Sequence, residues 1–598
     1  MNIVKNIFFS GVVLILPFAA LHAQAKKKKT TAKHTTTQPA KGKQTASKKA
    51  QPAAAKKTVV RQEAESQVKV TSFSKDTSSP REVTITSAFK PSLRNAAKIN
   101  FIAASQMTDT SRVPLSYNIP SQNLFFSYKP VAIKPLALFV DSSFKWENHQ
   151  YVKVGFGNYT TPYAELGLGF GDGTKSIINI HGRFTSSKGN LPFQQFNKTG
   201  IEALGIFNTG TNQEVTGKLF WDNSTQYKYG FRDTVVKYTK DDLRQQFSNV
   251  GLQLGLRNKI ANDYGITYHP EVMLNYFTDN RSANEFSLKA IGQINKSFGR
   301  VVAFDLSGTA DITQFSRSLQ GGNSIKNNLF YINPSLQFKT PNFKLNTGIQ
   351  PSWDNSKFYM LPNITAEGKI TDERFIIMAG WVGYFNKNTY QSLTSFNPYI
   401  DQPTSLLNTR VREEYAGFKG SVGKHLTYNA KLAFMQMDNL ALYGNDTATN
   451  NSQTMDVLYD PKVQAVRLHG EIGYTLQEKF IFNAAATYTK YTKLQQYDKA
   501  YGLLPLEVTG SFRWKIVKDV QLKSDLFFWD GAHYYDKAMT SLKLPAAVDL
   551  NLGVEFAVAP KLNVWLELNN LLNNRYQRWN QYQVLGFQVL GGVVYSFR

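Results

Sequence analysis

The chain has 598 residues, of which 42% are apolar and 13% are Phe, Tyr or Trp, and it contains no Cys. The absence of Cys excludes disulfides, thiolate metal sites and a lipid anchor on a cysteine behind a leader. The formal net charge is +26, and about half of it lies between Lys26 and Arg61, where no acidic residue occurs. About half of the basicity therefore belongs to the N-terminal segment, and the remainder of the chain is only moderately basic.

Residues 1–25 have the pattern of a secretory signal peptide. Lys5 precedes an apolar run from Ile7 to Ala20, and small residues follow it up to Ala25. The run is too short and too close to the terminus for a stable helical membrane span. The sequence predicts a cleaved leader, with an uncleaved N-terminal anchor as the alternative.

Two further segments precede the main part of the chain. Residues 26–62 consist mainly of Lys, Ala, Thr and Gln and predict a disordered tail, because so few apolar groups cannot offset chain entropy. The tail is interpreted either as a solvated linker or as a polycation that docks a periplasmic or cell-wall partner. Residues 63–148 are interrupted by several prolines and predict a periplasmic lead-in, or a segment that partly fills a lumen.

Residues 149–598 alternate between apolar and polar side chains over many short segments. In one example, Val302, Phe304 and Leu306 alternate with Ala303 and Asp305. Strands place successive side chains on opposite faces, so one face is apolar and the other polar. Segments of this length match tilted strands that cross a membrane. Turn signals separate them, as at Pro341-Asn342, Gly444-Asn445-Asp446 and Asp530-Gly531.

The segment count predicts an all-β fold, a large antiparallel transmembrane β-barrel of about 22 strands, with 18 or 20 as alternatives. An open sheet in lipid would leave unpaired backbone amides at its edges, so the sheet is expected to close. A soluble all-β array is the competing interpretation. It would require a repeat of fixed period, and the sequence shows no obvious one.

The last forty or so residues are the most specific part of the sequence. The strand-like segment Leu562–Leu568 leads into an Asn-Leu turn and Tyr576, and the chain ends in a strand with Tyr595 and Phe597. This resembles the C-terminal strands of TonB-dependent receptor barrels, especially those of Bacteroides-type bacteria. The resemblance implies an outer-membrane barrel of the transport class, and it implies that Tyr595 and Phe597 belong to a barrel-assembly signal. In this chain Arg598 follows the final aromatic residue, so the signal is near-terminal.

The N-terminal part departs from that family's pattern. Receptors of this type carry a plug of well over a hundred residues and a short energy-coupling box before the barrel. Residues 63–148 are shorter and interrupted by prolines, and no coupling box is recognisable. The sequence therefore predicts a barrel that lacks a full plug domain.

The sequence gives little support for catalysis. The eight His residues are scattered, with no pair at metal-ligand spacing, and no serine motif accompanies His425 or His469 as a hydrolase would require. We therefore expect no enzyme activity, no catalytic residues, no metal and no cofactor. The basic tail lacks interleaved aromatic residues, which disfavours a nucleic-acid partner.

Aromatic residues cluster near both ends of the predicted barrel and are candidates for membrane-interface girdles. A second interpretation for two of them, Trp579 and Tyr582, is stacking on a sugar or another extracellular ligand. The candidate interface residues are Trp146, Tyr151, Tyr159, Tyr576, Trp579 and Tyr582.

The sequence thus predicts an outer-membrane barrel that passes or binds solute through a polar lumen, with its tail in the periplasm. Its expected partners are outer-membrane lipid, the barrel-assembly machinery and a periplasmic or cell-wall partner of the Lys-rich tail. The alternative is a structural or assembly component of an outer-membrane complex, with its lumen blocked by residues 63–148.

Overall fold

The computed structural model describes residues 149–597, apart from 211, 231–236, 318–323, 447–452, 478 and 536–539. The predicted signal peptide (1–25), tail (26–62) and lead-in (63–148) lie outside the described residues. Trp146 lies outside them as well. The described part of the chain is dominated by antiparallel strands.

In the described residues, strands account for 72% and are accompanied by two short helices, α1 (Lys240–Leu243) and α2 (Tyr390–Phe396). In chain order the strands are β1 (Gln150–Gly157), β2 (Thr161–Gly171), β3 (Ser176–Ser187), β4 (Phe196–Thr209), β5 (Gln213–Tyr227), β6 (Arg244–Asn258), β7 (Ile266–Tyr268), β8 (Glu271–Asp279), β9 (Asn284–Phe298), β10 (Val302–Ser316), β11 (Ser324–Lys339), β12 (Phe343–Asp354), β13 (Lys357–Thr371), β14 (Phe375–Asn386), β15 (Thr409–Val422), β16 (Leu426–Asp438), β17 (Leu440–Asn445), β18 (Met455–Asp460), β19 (Val463–Leu476), β20 (Phe480–Leu494), β21 (Leu506–Val517), β22 (Val520–Trp529), β23 (His533–Tyr535), β24 (Ser541–Lys543), β25 (Ala547–Ala559), β26 (Leu562–Asn569), β27 (Gln577–Trp579), β28 (Tyr582–Gln583) and β29 (Gln588–Ser596).

One sheet closes on itself to form the barrel. Each barrel strand pairs antiparallel with its neighbours, and the last strand returns to the first, with Val593 of β29 opposite Val154 of β1. The strands β7 and β8 both pair with β9 and count as one interrupted strand, which gives a closed barrel of 22 strands. The interruption falls at His269-Pro270, where proline has no N–H to donate to the ladder. The predicted fold class and strand number are confirmed.

The alternation of side chains follows the predicted register. On β10, Phe304 is 38% exposed on the outer face, whereas Asp305 and Thr313 are 8% and 0% exposed on the inner face. Outward apolar side chains suit contact with lipid, and inward polar side chains suit an aqueous interior. Trp565 on β26 is an exception to this alternation, because it is an apolar side chain on the inner register. It points inward and packs against Tyr163, with ring centroids 5.6 Å apart.

The two ends of the barrel differ in their connections. At one end, here the short-turn end, connections such as 299–301, 340–342 and 560–561 contain two or three residues. Gly299 has φ 72°, a left-handed conformation that glycine adopts without steric cost. At the opposite, long-loop end lie the connections 228–243, 387–408, 439–462, 530–546 and 570–587.

The predicted turn at Gly444-Asn445-Asp446 is wrong in part. Gly444 and Asn445 are the last residues of β17, which pairs with β18 in a hairpin of the 439–462 loop. The local signal for a turn was overridden because this loop folds back on itself and buries the strand. Pro341-Asn342 does lie in a short turn, between β11 and β12, as predicted.

Candidate functional site

The inner wall of the barrel carries ion pairs between strands that are adjacent or separated by one strand. The Nζ atom of Lys218 on β5 lies 2.9 Å from the carboxylate of Glu202 on β4. The Nζ atom of Lys419 on β15 lies 2.8 Å from the carboxylate of Glu367 on β13. Such cross-strand pairs place alternating charges along the wall. The described interior is therefore polar along much of its height, as the sequence pattern predicts.

Lys153 of β1 reaches past the last strand, β29, to side chains of β26. Its Nζ lies 3.0 Å from the carboxylate of Glu567 and 4.2 Å from the ring centroid of Trp565. A cation over an indole face is favourable, and more so when it is shielded from water. These contacts span the seam between β26 and β1, with β29 between them, where the barrel closes.

The long-loop end is covered by a cluster of buried side chains, here called the mouth cluster. It joins inner-wall residues of β6, β8 and β10 to residues of four different loops. Its members are Phe247, Phe277, Ala283, Phe315, Tyr390, Leu393, Ile400, Leu406, Ala441, Tyr443, Met455, Trp579 and Tyr582.

The 387–408 loop enters the barrel and packs against its inner wall. Tyr390, at the start of α2, lies 4.8 Å from the ring of Phe315 and 5.5 Å from that of Phe277. Its backbone N–H donates to the carboxylate of Glu285 at 2.6 Å, and its hydroxyl donates to Asp279 at 2.8 Å. Burial of the ring and satisfaction of both polar groups together fix this loop on β8, β9 and β10.

Polar contacts at the two ends of the same loop add to this attachment. Near its start, Lys387 donates to the carboxylate and backbone carbonyl of Asp311 and to Thr313 Oγ1. Near its end, Asn408 exchanges hydrogen bonds with Asn327 and donates to Asp354 at 2.7 Å. At both points the polar side chains of the loop are hydrogen-bonded to barrel strands, and these bonds hold the loop against the inner wall.

The hairpin β27–β28 of the 570–587 loop reaches across the mouth from the other side. The ring of Tyr582 stacks on Tyr399 at 3.4 Å and meets Tyr229 edge-on at 5.1 Å. Its hydroxyl donates to the carbonyl of Gln453. One hairpin thus touches three other loops, those that contain Tyr229, Tyr399 and Gln453.

Two basic side chains are buried in this covering. The guanidinium of Arg578 stacks 4.1 Å from the Trp579 ring and donates to the Gly502 carbonyl, and burial lowers its pKa to about 10. Lys228 lies 3.7 Å from Asp401, and burial lowers the pKa of Lys228 to about 8 although Asp401 opposes the shift. Burial thus disfavours the charged form of both side chains.

The structure separates the predicted interface aromatic residues into different environments. Tyr151 donates to Glu165 at 2.6 Å on the inner wall, Tyr159 lies in the turn between β1 and β2, and Tyr576 donates to Asp549 at 2.6 Å. Trp579 and Tyr582 come together in the mouth cluster. The membrane-interface role of the described five stays a prediction.

A set of outward-facing aromatic side chains was missed by the sequence interpretation. They lie on the outer register of their strands, next to apolar residues of the same face, and that register is the signal that could have found them. They include Tyr276, Phe298, Trp353, Phe358, Trp381, Tyr488 and Trp514.

The described residues offer no site for a metal or a helical membrane span. No group of three or more His, Asp or Glu side chains is arranged to hold a metal ion within the described ranges. In the same ranges, no helix has the length and apolar character needed to cross a bilayer.

Comparison with known proteins gives a likeness in fold only. In sequence, neither a protein-family profile nor a curated protein matches this chain. In structure, the FrpB iron transporter from Neisseria meningitidis matches with a TM-score of 0.58 and 10% identity, over 76% of this chain and 82% of that one. The siderophore receptor PirA from Acinetobacter baumannii matches with a TM-score of 0.58 and 9% identity, over 75% and 80%.

A mutant of the ferric enterobactin receptor PfeA from Pseudomonas aeruginosa gives a similar result. Its TM-score is 0.55 at 11% identity, over 75% of this chain and 80% of that one. Each of these similarities covers most of both chains, so the barrel as a whole is shared. The chain therefore shares the 22-strand barrel fold of these iron and siderophore receptors.

Proposed function

We propose that this chain is an outer-membrane barrel of the transport class, which passes or binds solute through a polar lumen. The observation that carries the proposal is the closed 22-strand barrel with an apolar outer face and ion-paired inner wall. A barrel of this size encloses more space than side chains alone fill. Its likeness in fold to iron and siderophore receptors supports a transport role.

The orientation in the membrane follows from the two ends. Outer-membrane barrels have short periplasmic turns and longer extracellular loops, which places the mouth cluster on the outside. The first strand, β1, then begins on the periplasmic side, and the last strand, β29, ends there. The basic tail accordingly lies in the periplasm. The apolar outer wall contacts lipid, and the tail is available to a periplasmic or cell-wall partner.

In this proposal the mouth cluster is the extracellular closure of the lumen. Loops from several points around the barrel meet in it through buried rings and hydrogen bonds. Solute can enter only when these contacts separate. A closure made of separate loops can open by local loop movement while the strands stay paired.

Planar-bilayer conductance tests this function. The wild-type chain is expected to be closed for most of the time, and a variant in which 390–406 is replaced by a short Gly/Ser linker is expected to form large, stable channels. A matched variant in which the turn 299–301 is replaced by the same kind of linker keeps the mouth and should behave as wild type.

The alternative is a structural or assembly component of an outer-membrane complex with a blocked lumen. The covered mouth is the observation that favours it, since a permanently closed barrel cannot transport. Silence of both the wild type and the 390–406 variant, together with stoichiometric co-purifying envelope proteins, would support this alternative over transport.

A further inference from the structure

The outer wall formed by β13, β14, β15 and β16 carries a groove of about 610 Å³. Its sides are the exposed rings of Trp381 and Phe434, and Ala379 and Ala416 form part of its floor. The groove faces away from the lumen, so it takes no part in the transport route. Elsewhere on the described outer wall, large apolar side chains predominate.

A carboxylate lies at the edge of this groove. Glu414 is exposed on the outer face of β15, opposite Trp381 on β14 and Phe434 on β16. Within the described ranges it has no hydrogen bond and no ion pair. A charged side chain on the lipid face destabilises a barrel, more so with depth, unless it finds a partner. Among the described residues, no cation is paired with Glu414.

A basic side chain without a partner lies two residues away on the same face. Arg412 makes no hydrogen bond or ion pair to any other described residue, and its Nε is buried without an acceptor. By contrast, the neighbouring Arg410 donates through Nε and Nη2 to Asp438. Opposite charges at Arg412 and Glu414 are thus both unsatisfied on one strand.

This pattern is self-complementary. A two-fold axis along the membrane normal keeps two barrels in the same orientation and brings β15 of one copy against β15 of the other. In such an isologous interface residue i contacts residue j, and j contacts i. Arg412 of each copy can then reach Glu414 of the other, and the groove receives the apolar rings of the facing wall.

We propose that the β13–β16 wall is a lateral interface through which two copies of this chain form a dimer in the membrane. Charge complementarity between Arg412 and Glu414 selects a second copy over a lipid headgroup, because a headgroup phosphate would satisfy Arg412 and repel Glu414. The interface is independent of the lumen and of the mouth cluster.

Cysteine cross-linking in intact outer membranes tests the interface, because the natural chain contains no Cys. Ala416→Cys is expected to give a dimer with a short bis-maleimide. The matched control is Leu219→Cys, an exposed position on the outer face of β5, far from β15 around the barrel, and it should give none.

Charge exchange then tests the pairing. Adding Glu414→Arg to Ala416→Cys should lower the yield of dimer roughly tenfold or more, since like charges then face each other. Adding Arg412→Glu as well should restore the dimer, because the pair is rebuilt with exchanged signs. Heat-modifiable gel mobility confirms that each variant is a folded barrel, and Glu414→Gln is the milder substitute where Glu414→Arg does not assemble.

Three results would overturn the proposal. Equal cross-linking at positions 416 and 219 would show random collisions. A dimer yield that ignores the charge reversal would show that Arg412 and Glu414 do not pair. Cross-linking of Ala416→Cys only to a cysteine of a different protein would assign the groove to another occupant.

Discussion

The ring of Tyr582 stacks on the ring of Tyr399 at 3.4 Å, although the two residues belong to loops that leave the barrel at different places. Tyr399 follows α2 in the 387–408 loop, and Tyr582 lies in β28 of the 570–587 loop. The contact therefore connects the two loops that cover the mouth from opposite sides. Separation of these rings is a necessary step in opening the mouth.

Truncation of Tyr582 is expected to open the mouth without unfolding the barrel. Loss of a buried aromatic ring costs about 3 kcal/mol or more, which corresponds to roughly 100-fold in an opening equilibrium. A single Cys at Ala441, a buried member of the mouth cluster, reports opening through its labelling by a membrane-impermeant maleimide. Tyr582→Ala should accelerate that labelling by about this factor.

The control for this prediction is Tyr276→Ala, which removes an exposed ring from the outer face of β8. Its labelling rate at position 441 should equal that of the unsubstituted reporter. If Tyr582→Ala labels no faster than this control, the stacked pair does not hold the mouth closed.

The ion pair between Lys387 and Asp311 is a second attachment of the 387–408 loop to the barrel, and breaking it should open the mouth. Lys387 and Asp311 are both nearly buried, at 10% and 16% side-chain exposure, and they join the 387–408 loop to the inner face of β10. Removal of one partner from a buried pair leaves an uncompensated charge, at a cost of about 3 kcal/mol. Lys387→Met and Asp311→Asn should each accelerate labelling at position 441.

The double variant separates pairing from general damage. Neighbouring groups that interact directly show coupling energies of about 0.5–3 kcal/mol, so the double variant should open less than the two single effects combined. Lys369→Met is the matched control, because Lys369 pairs with Glu373 at the exposed short-turn end. Strict additivity of the two single variants would refute a direct Lys387–Asp311 interaction.

The sequence predicted the barrel well and the mouth poorly, for one physical reason. In strands, the pattern of period two at Phe304 and Asp305 directly encodes which face meets lipid, so fold class and strand number could be read locally. The mouth depends on contacts between residues distant in sequence, such as Tyr229 with Tyr582. No local pattern encodes which loop folds inward.

Trp579 and Tyr582 illustrate that limit. Their position near the last strands predicts a membrane girdle or a ligand-stacking surface, and the sequence did not predict that both lie in the mouth cluster. An aromatic residue satisfies the same local preferences in any of these places. Only the inward fold of the 570–587 loop, which the sequence does not reveal, distinguishes them.

The buried Lys228 predicts that the mouth closes more tightly as pH rises. In the closed mouth its pKa is about 8, below the ordinary 10.5, because burial disfavours the charged form. In the open mouth the side chain is solvated, so the open state binds more protons between about pH 8 and 10.5. The closed state therefore gains stability as pH rises through this window. Below the window, the contribution of Lys228 to the free energy of closing is constant.

Labelling of the Cys at position 441 measures this effect when it is compared with the same reporter in a Lys228→Met background. At each pH the thiol at position 441 has the same reactivity in both backgrounds. The ratio of the two labelling rates therefore isolates the effect of Lys228. The rate relative to Lys228→Met should fall roughly tenfold or more from pH 7 to pH 10. A ratio that rises with pH, or that stays flat, would contradict the assignment.

The C-terminal aromatic pair predicts a defect in assembly and not in stability. Tyr595 and Phe597 are exposed on the outer face, with their rings 5.2 Å apart, on and just after the strand that closes the barrel against β1. Removal of one lipid-facing ring leaves the inner wall and the strand pairing intact, so the finished barrel should lose at most about 0.5 kcal/mol. If the ring is instead read during insertion, Phe597→Ala should lower the amount of heat-modifiable barrel in the outer membrane several-fold. The purified variant, refolded in detergent, should keep the Tm of the wild type.

Leu566→Ala, an equally exposed change on the adjacent β26, is the matched control and should assemble normally. Equal assembly of both variants would remove Phe597 from the signal, and a lowered Tm after refolding would show that its ring stabilises the barrel itself.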